Sequence, residues 1–338
     1  MDKRKTAWGI IFWVICLFLL ILDSKTVILG ATAGIDLCIR VLIPSMFPFL
    51  VVCPMISSRI GSYLSIFRPI GRLLRMPEGA EDLFFLGLLS GYPVGAAMVS
   101  QAAQSGRISK QDAKRYLSFC SNTGPSFIFG IGAGLFPGIG SCAVLWLIQI
   151  LSAVMVGILT PGKSHKAGFK NQIPLSLQQS LRNAVSTMAI ICGWVILFRI
   201  LITVLERWVL WCIPESAQIL LRGILELANG IVSLSKIGNL GLRMILFSAL
   251  LSFGGICVYM QTASVARDVP MGYYLPGKLA QSAMACVLAT ALQFFLPSPQ
   301  RYIPHPALLA ICAGICVAYP IFLRKSEDSS RNSKLVGV

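Results

Sequence analysis

LLSGYPVGAAMVSQ, residues 88–101, is apolar along most of its length and broken near its start: Gly91, Pro93 and Gly95 fall within five residues. A continuous helix does not carry that combination, because Pro removes an N–H and clashes with the preceding turn and Gly weakens a helix interior. Basic loops flank it on both sides. Arg59, Arg68, Arg72 and Arg75 precede it; Arg107, Lys110, Lys114 and Arg115 follow. Short basic loops mark the cytoplasmic face of a membrane protein, so a single crossing would leave one of them outside. A re-entrant hairpin over 83–101 satisfies both: it dips in from the cytoplasm, turns at SGYPVG and returns. Each arm of about seven residues reaches about 10 Å, a third of the hydrocarbon core. An ordinary spanning helix kinked at Pro93 is the alternative. Broken backbone is tolerated at membrane depth only where protein buries it or water fills a cavity beside it.

The rest of the 338-residue chain is of the same class. It is 56% hydrophobic and 12% charged, where soluble domains carry about 25% charged residues. Apolar runs near spanning length cover 1–22, 37–56, 142–159, 184–205, 243–261, 279–296 and 307–323. The expected fold class is an all-α polytopic membrane protein, with about eight transmembrane helices plus two re-entrant hairpins arranged as inverted structural repeats. The net charge of +16 sits in short loops between apolar runs, which reads as topology rather than nucleic-acid binding. The basic start MDKRK followed by an apolar core resembles a signal peptide, and Ala31-Thr32-Ala33 offers a cleavage site; Asp23, Ser24 and Lys25 separate the two. An uncleaved first helix is expected.

A second break follows the first. Ser109 and Asp112 in SKQDAKRYL have capping-box spacing, and the helix they start runs into SFCSNTGPSFIFG, residues 118–130. A turn near Phe136-Pro137-Gly138 and a helix over 139–159 lead to a basic loop with Lys163, Lys166 and Lys170. The second half repeats the order: helix 184–205, a short segment at 219–236 interrupted by Glu226, Asn229 and Gly230, a helix over 243–262 with Ser252, Gly254 and Gly255, then helix 279–296. The last helix, 306–323, returns to Arg324, Lys325, Arg331 and Lys334, and both termini are expected in the cytoplasm. Each half reads as helix, hairpin, broken helix, helix, with opposite starting sides. The repeat lies in pattern, not letters: over fifteen positions, placing Gly124 on Gly254 adds only Ser118 on Ser248. The expected division is a first helix (1–34), a first repeat (35–162), a basic linker (163–182), a second, inverted repeat (183–298) and a last helix with a basic tail (299–338).

Inverted repeats with discontinuous helices point to a transporter whose site lies at the midplane. The polar groups at the breaks are Ser90, Tyr92, Ser121, Asn122, Thr123, Ser126, Glu226 and Asn229. Free N–H groups at half-helix N-termini suit an anion; alternatively these side chains only satisfy broken backbone. Glu226 reads as an intramembrane carboxylate for a proton, cation or substrate donor, or as a structural partner of Arg199 or Arg222. Arg199 reads as a partner for an acidic substrate or as a snorkelling side chain. YLSIFRPIGRLLR, residues 63–75, reads as an interfacial helix. Catalysis is not expected: neither His165 nor His305 lies in a membrane segment, and no nucleophile–base–acid set is visible. No phosphate loop GxxxxGK[ST] marks an ATP-driven pump. Eleven scattered cysteines, Cys312 and Cys316 included, lack the neighbours a zinc site needs, so neither metal nor cofactor is expected.

VLIPSMFPFLV at 41–51, SGYPVGA at 90–96, SNTGPSFIFG at 121–130 and ELANGI at 226–231 resemble the sporulation integral membrane protein family YlbJ. Its members carry a Gate, or nucleoside-recognition, type of membrane domain. The resemblance covers roughly residues 35–300. It implies a multi-pass protein of the bacterial cell membrane, in sporulating cells the mother-cell-derived membrane around the forespore. It also implies movement of dipicolinic acid out of the mother cell toward the spore. The family motifs fall on Ser90, Gly91, Pro93, Gly95, Ser121, Asn122, Gly124, Pro125, Ser126, Glu226 and Gly230. The candidate substrate-binding set adds Tyr92, Thr123 and Asn229. Expected partners are a small anionic substrate and the lipid bilayer, with a second copy or other sporulation membrane proteins as candidates, and no nucleic acid. A nucleoside or ion transporter of the Gate type and a non-transporting scaffold for spore assembly are the rival readings.

Overall fold

The computed structural model describes residues 14, 18, 20–60, 67–162, 174–266, 268–293 and 301–336. Most of the expected first helix over 1–22, most of the linker around 163–173, Arg267 and the end of the 279–296 run lie outside them. Among the described residues the chain is helical, with no strand.

The first long element is α1 (Ser24–Leu37), a π-helical turn (Cys38–Leu42) and α2 (Ile43–Ile60). It starts thirteen residues before the expected helix at 37, because 24–36 is itself apolar and has a neighbour to pack on. Gly30 and Gly34, one turn apart, press on the backbone of α9 (Leu177–Trp208); a Cβ on Gly30 would fall 2.8 Å from Ile200 Cα. Small residues at this spacing let membrane helices approach closely. A short helix α3 (Arg68–Leu73) follows, within the expected interfacial segment, and Phe67 stacks on Phe85 at 3.7 Å between ring centroids.

Then come α4 (Glu81–Ser90) and α5 (Val94–Gln104), α6 (Lys110–Cys120) and α7 (Pro125–Gly132), and the unbroken α8 (Gly138–Leu159). Ser109 Oγ accepts from Asp112 N at 3.0 Å, the cap expected at the start of α6. The second half runs α9, then α10 (Glu215–Leu225) and α11 (Leu227–Ser233), then α12 (Leu240–Phe253) and α13 (Gly255–Val265), then α14 (Tyr274–Leu292). The last helix is α15 (Pro306–Val336). Both halves therefore list a long helix, a pair of short helices, a two-piece helix and a long helix.

Among the described residues six elements are long and apolar enough to cross a membrane: Ser24–Arg59, Gly138–Leu159, Leu177–Trp208, Leu240–Val265, Met271–Leu292 and Pro306–Ser326. Of the eight expected spans, the first lies mostly outside the described residues, and α6 with α7 is two short helices joined by an extended link.

The pair α4/α5 doubles back. Arg107, just past α5, forms a buried ion pair with Asp82 in the first turn of α4 and donates to Gly79 O. Both ends of the pair thus sit on one side. The pair is core rather than surface: Leu83, Phe84, Val94 and Val99 are buried. Gly87 and Gly95 admit the Cys120 carbonyl at the end of α6 between the two arms. In the second half Lys236 Nζ lies 2.6 Å from Glu215 Oε1, so α10/α11 also begins and ends on one side.

Candidate functional site

The site is made by helix breaks that satisfy one another. Gly91 ends α4 at φ 85°, a conformation open to Gly. The Ser121–Gly124 link between α6 and α7 crosses it so closely that a Cβ on Gly91 would lie 2.9 Å from Gly124 N. The third break is Gly254, left-handed at φ 83°, between α12 and α13. The last carbonyls of a helix have no partner within it. Here the first half supplies them. Tyr92 OH lies 3.2 Å from both Leu251 O and Ser252 O and donates to this pair, and Thr123 Oγ1 donates to Leu251 O at 3.1 Å. Two hydroxyls expected to line a site are therefore also among the links between the halves.

Glu226 makes the fourth break. It is extended (φ −144°, ψ 123°) and caps α11, accepting from Ala228 N at 3.0 Å and from Asn229 N and Nδ2 at 2.8 Å. Its neighbours correct the sequence reading: Asn229 and Gly230 do not interrupt the helix but lie inside α11. Gly230 is small because α10 crosses there; a Cβ on it would fall 2.1 Å from Gly223 Cα. Neither expected arginine pairs Glu226 directly. Arg199 donates to Asn229 Oδ1, and Arg222 Nε lies 2.9 Å from Glu206 Oε1. Because Glu226 already fills the N-terminus of α11, no free N–H cradle for an anion is left at this break.

One cavity, with about 70 Å³ of water-accessible space, opens where these breaks meet, enough for several ordered waters. Of the expected site residues, Ser90, Gly91, Tyr92, Thr123, Gly124, Ser126 and Glu226 line it. Ile191 and Val195 of α9 and Val258 and Gln261 of α13 close the other sides, with Leu42 of the π-helical turn. Pro93, Gly95, Ser121, Asn122, Pro125, Asn229 and Gly230 are not among its lining residues. Asn122 is buried and turned away: Nδ2 donates to Phe119 O at 2.6 Å, and Oδ1 accepts from Gln281 Nε2 at 2.8 Å.

That amide leads to a residue absent from the sequence reading. Starting α14 at 279 leaves Lys278 in the preceding loop; in the structure α14 starts at Tyr274 and Lys278 is fully buried. Its Nζ donates to Ser121 O, to Gln281 Oε1 at 2.7 Å and toward Asn122 Oδ1 at 3.4 Å, and sits 5.0 Å from the Tyr92 ring centroid. Among the described residues no carboxylate lies within ion-pair distance of it. The signal was available: Gly277, Lys278, Gln281 and Ala285 share a helix face, so extending the helix back one turn aligns the charge with small and amide residues. No cluster of His, Cys, Asp and Glu suited to a metal occurs among the described residues.

These features define a polytopic helical membrane protein whose discontinuous helices meet at a small internal cavity. The chain is similar to the sporulation integral membrane protein YlbJ of Bacillus subtilis (strain 168), 25% identical over a 316-residue alignment that covers 78% of this chain and 76% of the relative. This similarity supports the YlbJ family read from the four motifs. No family model matches the chain, and no solved structure matches it.

Proposed function

We propose that this chain transports a small organic anion, dipicolinate, from the mother cell toward the developing spore, and that it acts in endospore formation as the name of its Bacillus relative implies for that protein. In this reading α4/α5 is a re-entrant hairpin from the cytoplasm and α10/α11 its counterpart from outside. The two halves form inverted repeats around the cavity and work by alternating access. The membrane is the mother-cell-derived one around the forespore, with both termini cytoplasmic. The chain acts as a carrier rather than an enzyme.

The observation that carries the anion is Lys278. Its Nζ is buried, with carbonyl and aromatic partners, one ring away from the cavity wall at Tyr92, and this reading assigns it the positive charge that faces the anion. An ammonium roughly 8 Å from a carboxylate, at an effective dielectric of about 20, stabilises it by about 2 kcal/mol, or roughly thirtyfold in affinity. Glu226, also in the cavity lining, is assigned the proton or cation that travels with the anion. Ser126 is exposed, lines the cavity and follows the uncapped start of α7, so its hydroxyl and N–H are assigned to a substrate carboxylate.

The test is uptake of labelled dipicolinate by inside-out vesicles carrying the chain, with a labelled nucleoside in parallel. Dipicolinate is expected to accumulate above empty vesicles. Losing a hydrogen bond to a charged group costs about 1.5–3 kcal/mol, so Ser126→Ala is expected to weaken its apparent affinity about tenfold or more. Accumulation of the nucleoside alone would move the chain to the Gate-type nucleoside carriers, and accumulation of neither would leave the scaffold reading.

A further inference from the structure

A second cavity continues the first along the same four helices. On α2, Met46 lines the central cavity and Leu50 and Pro54 line the second. On the α4/α5 hairpin the central cavity ends at Tyr92 and the second begins at Val94 and reaches Gln104. On α9 the division falls between Ile191 and Ile190, and on α13 between Gln261 and Ser264. The second cavity is the larger, with about 190 Å³ of water-accessible space.

Its end of every helix adjoins basic sequence. Arg59 closes α2, Arg107 and Lys110 follow α5, Lys163, Lys166 and Lys170 precede α9, and Arg267 follows α13. The positive-inside rule assigns that end to the cytoplasm. The chemistry of the two cavities also differs. Ser100, Gln101, Gln104, Asn183, Ser186 and Thr187 line the second, and among the described residues no charged side chain does. Hydroxyls and amides both donate and accept, so they hydrate a passing ion. Without a fixed charge they do not hold it, which is what a conducting vestibule needs.

We infer that this cavity is the cytoplasmic antechamber of the central site, a hydrated and uncharged passage for a small anion. Leu50, Val94 and Ile191, all buried, form the closed inner gate between the two cavities. The identity of the ion rests on the function proposed above; the passage and its gate do not, and are tested without substrate.

The probe is a charged, membrane-impermeant methanethiosulfonate, applied to inside-out and right-side-out vesicles of the full chain. Any native cysteine that reacts, exposed Cys212 first, is replaced beforehand. Gln101→Cys and Thr187→Cys are expected to label from the cytoplasmic face only. Val195→Cys, in the central cavity, is expected to label at least tenfold more slowly from that face. Adding Leu50→Ala is expected to speed labelling at Val195→Cys at least fivefold and to leave Gln101→Cys unchanged. If Leu50→Ala does not insert, Ile191→Ala serves the same purpose. Labelling of Gln101→Cys and Thr187→Cys from outside, or from neither face, overturns the antechamber. An unchanged rate at Val195→Cys with the gate residue shortened overturns the gate. Dipicolinate that fails to slow labelling at Val195→Cys counts against the anion and leaves the passage standing.

Discussion

The two short helix pairs, α4/α5 and α10/α11, have the same outline and opposite means of support. The first is closed by Arg107 and Asp82, 3% and 0% exposed at their side chains, with Ser57 of α2 donating to Asp82 and accepting from Arg107 at 2.8 Å. The second is closed by Lys236 and Glu215, both more than half exposed; their hydrogen bond and opposite charge hold the Glu215 carboxyl below its usual range. At the breaks the roles reverse. Gly91 and Pro93 turn the first pair with no side-chain cap, while Glu226 turns the second by capping α11 with its own carboxylate. Each pair therefore has one strongly built end: the base in the first, the turn in the second. Glu226 accepts three hydrogen bonds at that turn.

That contrast can be broken in order of expected size. Asp82→Ala leaves Arg107 buried without its partner, a loss of about 3–5 kcal/mol; the protein is expected to fall sharply in membrane abundance and in detergent melting temperature, and a normal level would show that the base of the first pair does not depend on this charge. Glu226→Ala removes a cap worth about 0.5–2 kcal/mol. A melting temperature lowered by a few degrees is expected, with partial recovery in Glu226→Gln, whose amide oxygen still accepts; a parent-like melting temperature in Glu226→Ala would mean the cap contributes nothing. Glu215→Gln touches only a solvated pair, which contributes little. Its abundance and melting temperature are expected to match the parent, and a clear loss would make the two bases alike after all.

Much of this arrangement was legible in the sequence because breaks in greasy segments are conspicuous. Gly91 and Pro93, Gly124 and Pro125, and Gly254 all mark real ends of helices. The cap at Ser109 was legible for a similar reason, since its partner is three residues away. What escaped is whatever depends on the facing element. Gly230 and Asn229 read as a break, yet Gly230 is small to let α10 pass and Asn229 bridges Glu226 to Arg199. Asn122 and Ser126 look equivalent in SNTGPS, but the extended link turns Asn122 toward α14 and leaves Ser126 on the cavity. Lys278 was hidden by an apolar window that starts one residue later, and only its neighbours Ser121, Asn122 and Gln281, distant in sequence or one turn on, show that it is inside.

Lys278 is therefore where the account is most exposed. The decisive measurement is dipicolinate uptake by vesicles carrying Lys278→Met, compared with the parent at equal protein in the membrane. Methionine keeps the length and removes the charge, so an anion held by that field is expected to bind roughly thirtyfold more weakly, with uptake near that of empty vesicles at low substrate and partial recovery at high substrate. Parent-like uptake at low dipicolinate, with the variant fully inserted, would contradict the claim that the buried ammonium makes this cavity a site for an anion.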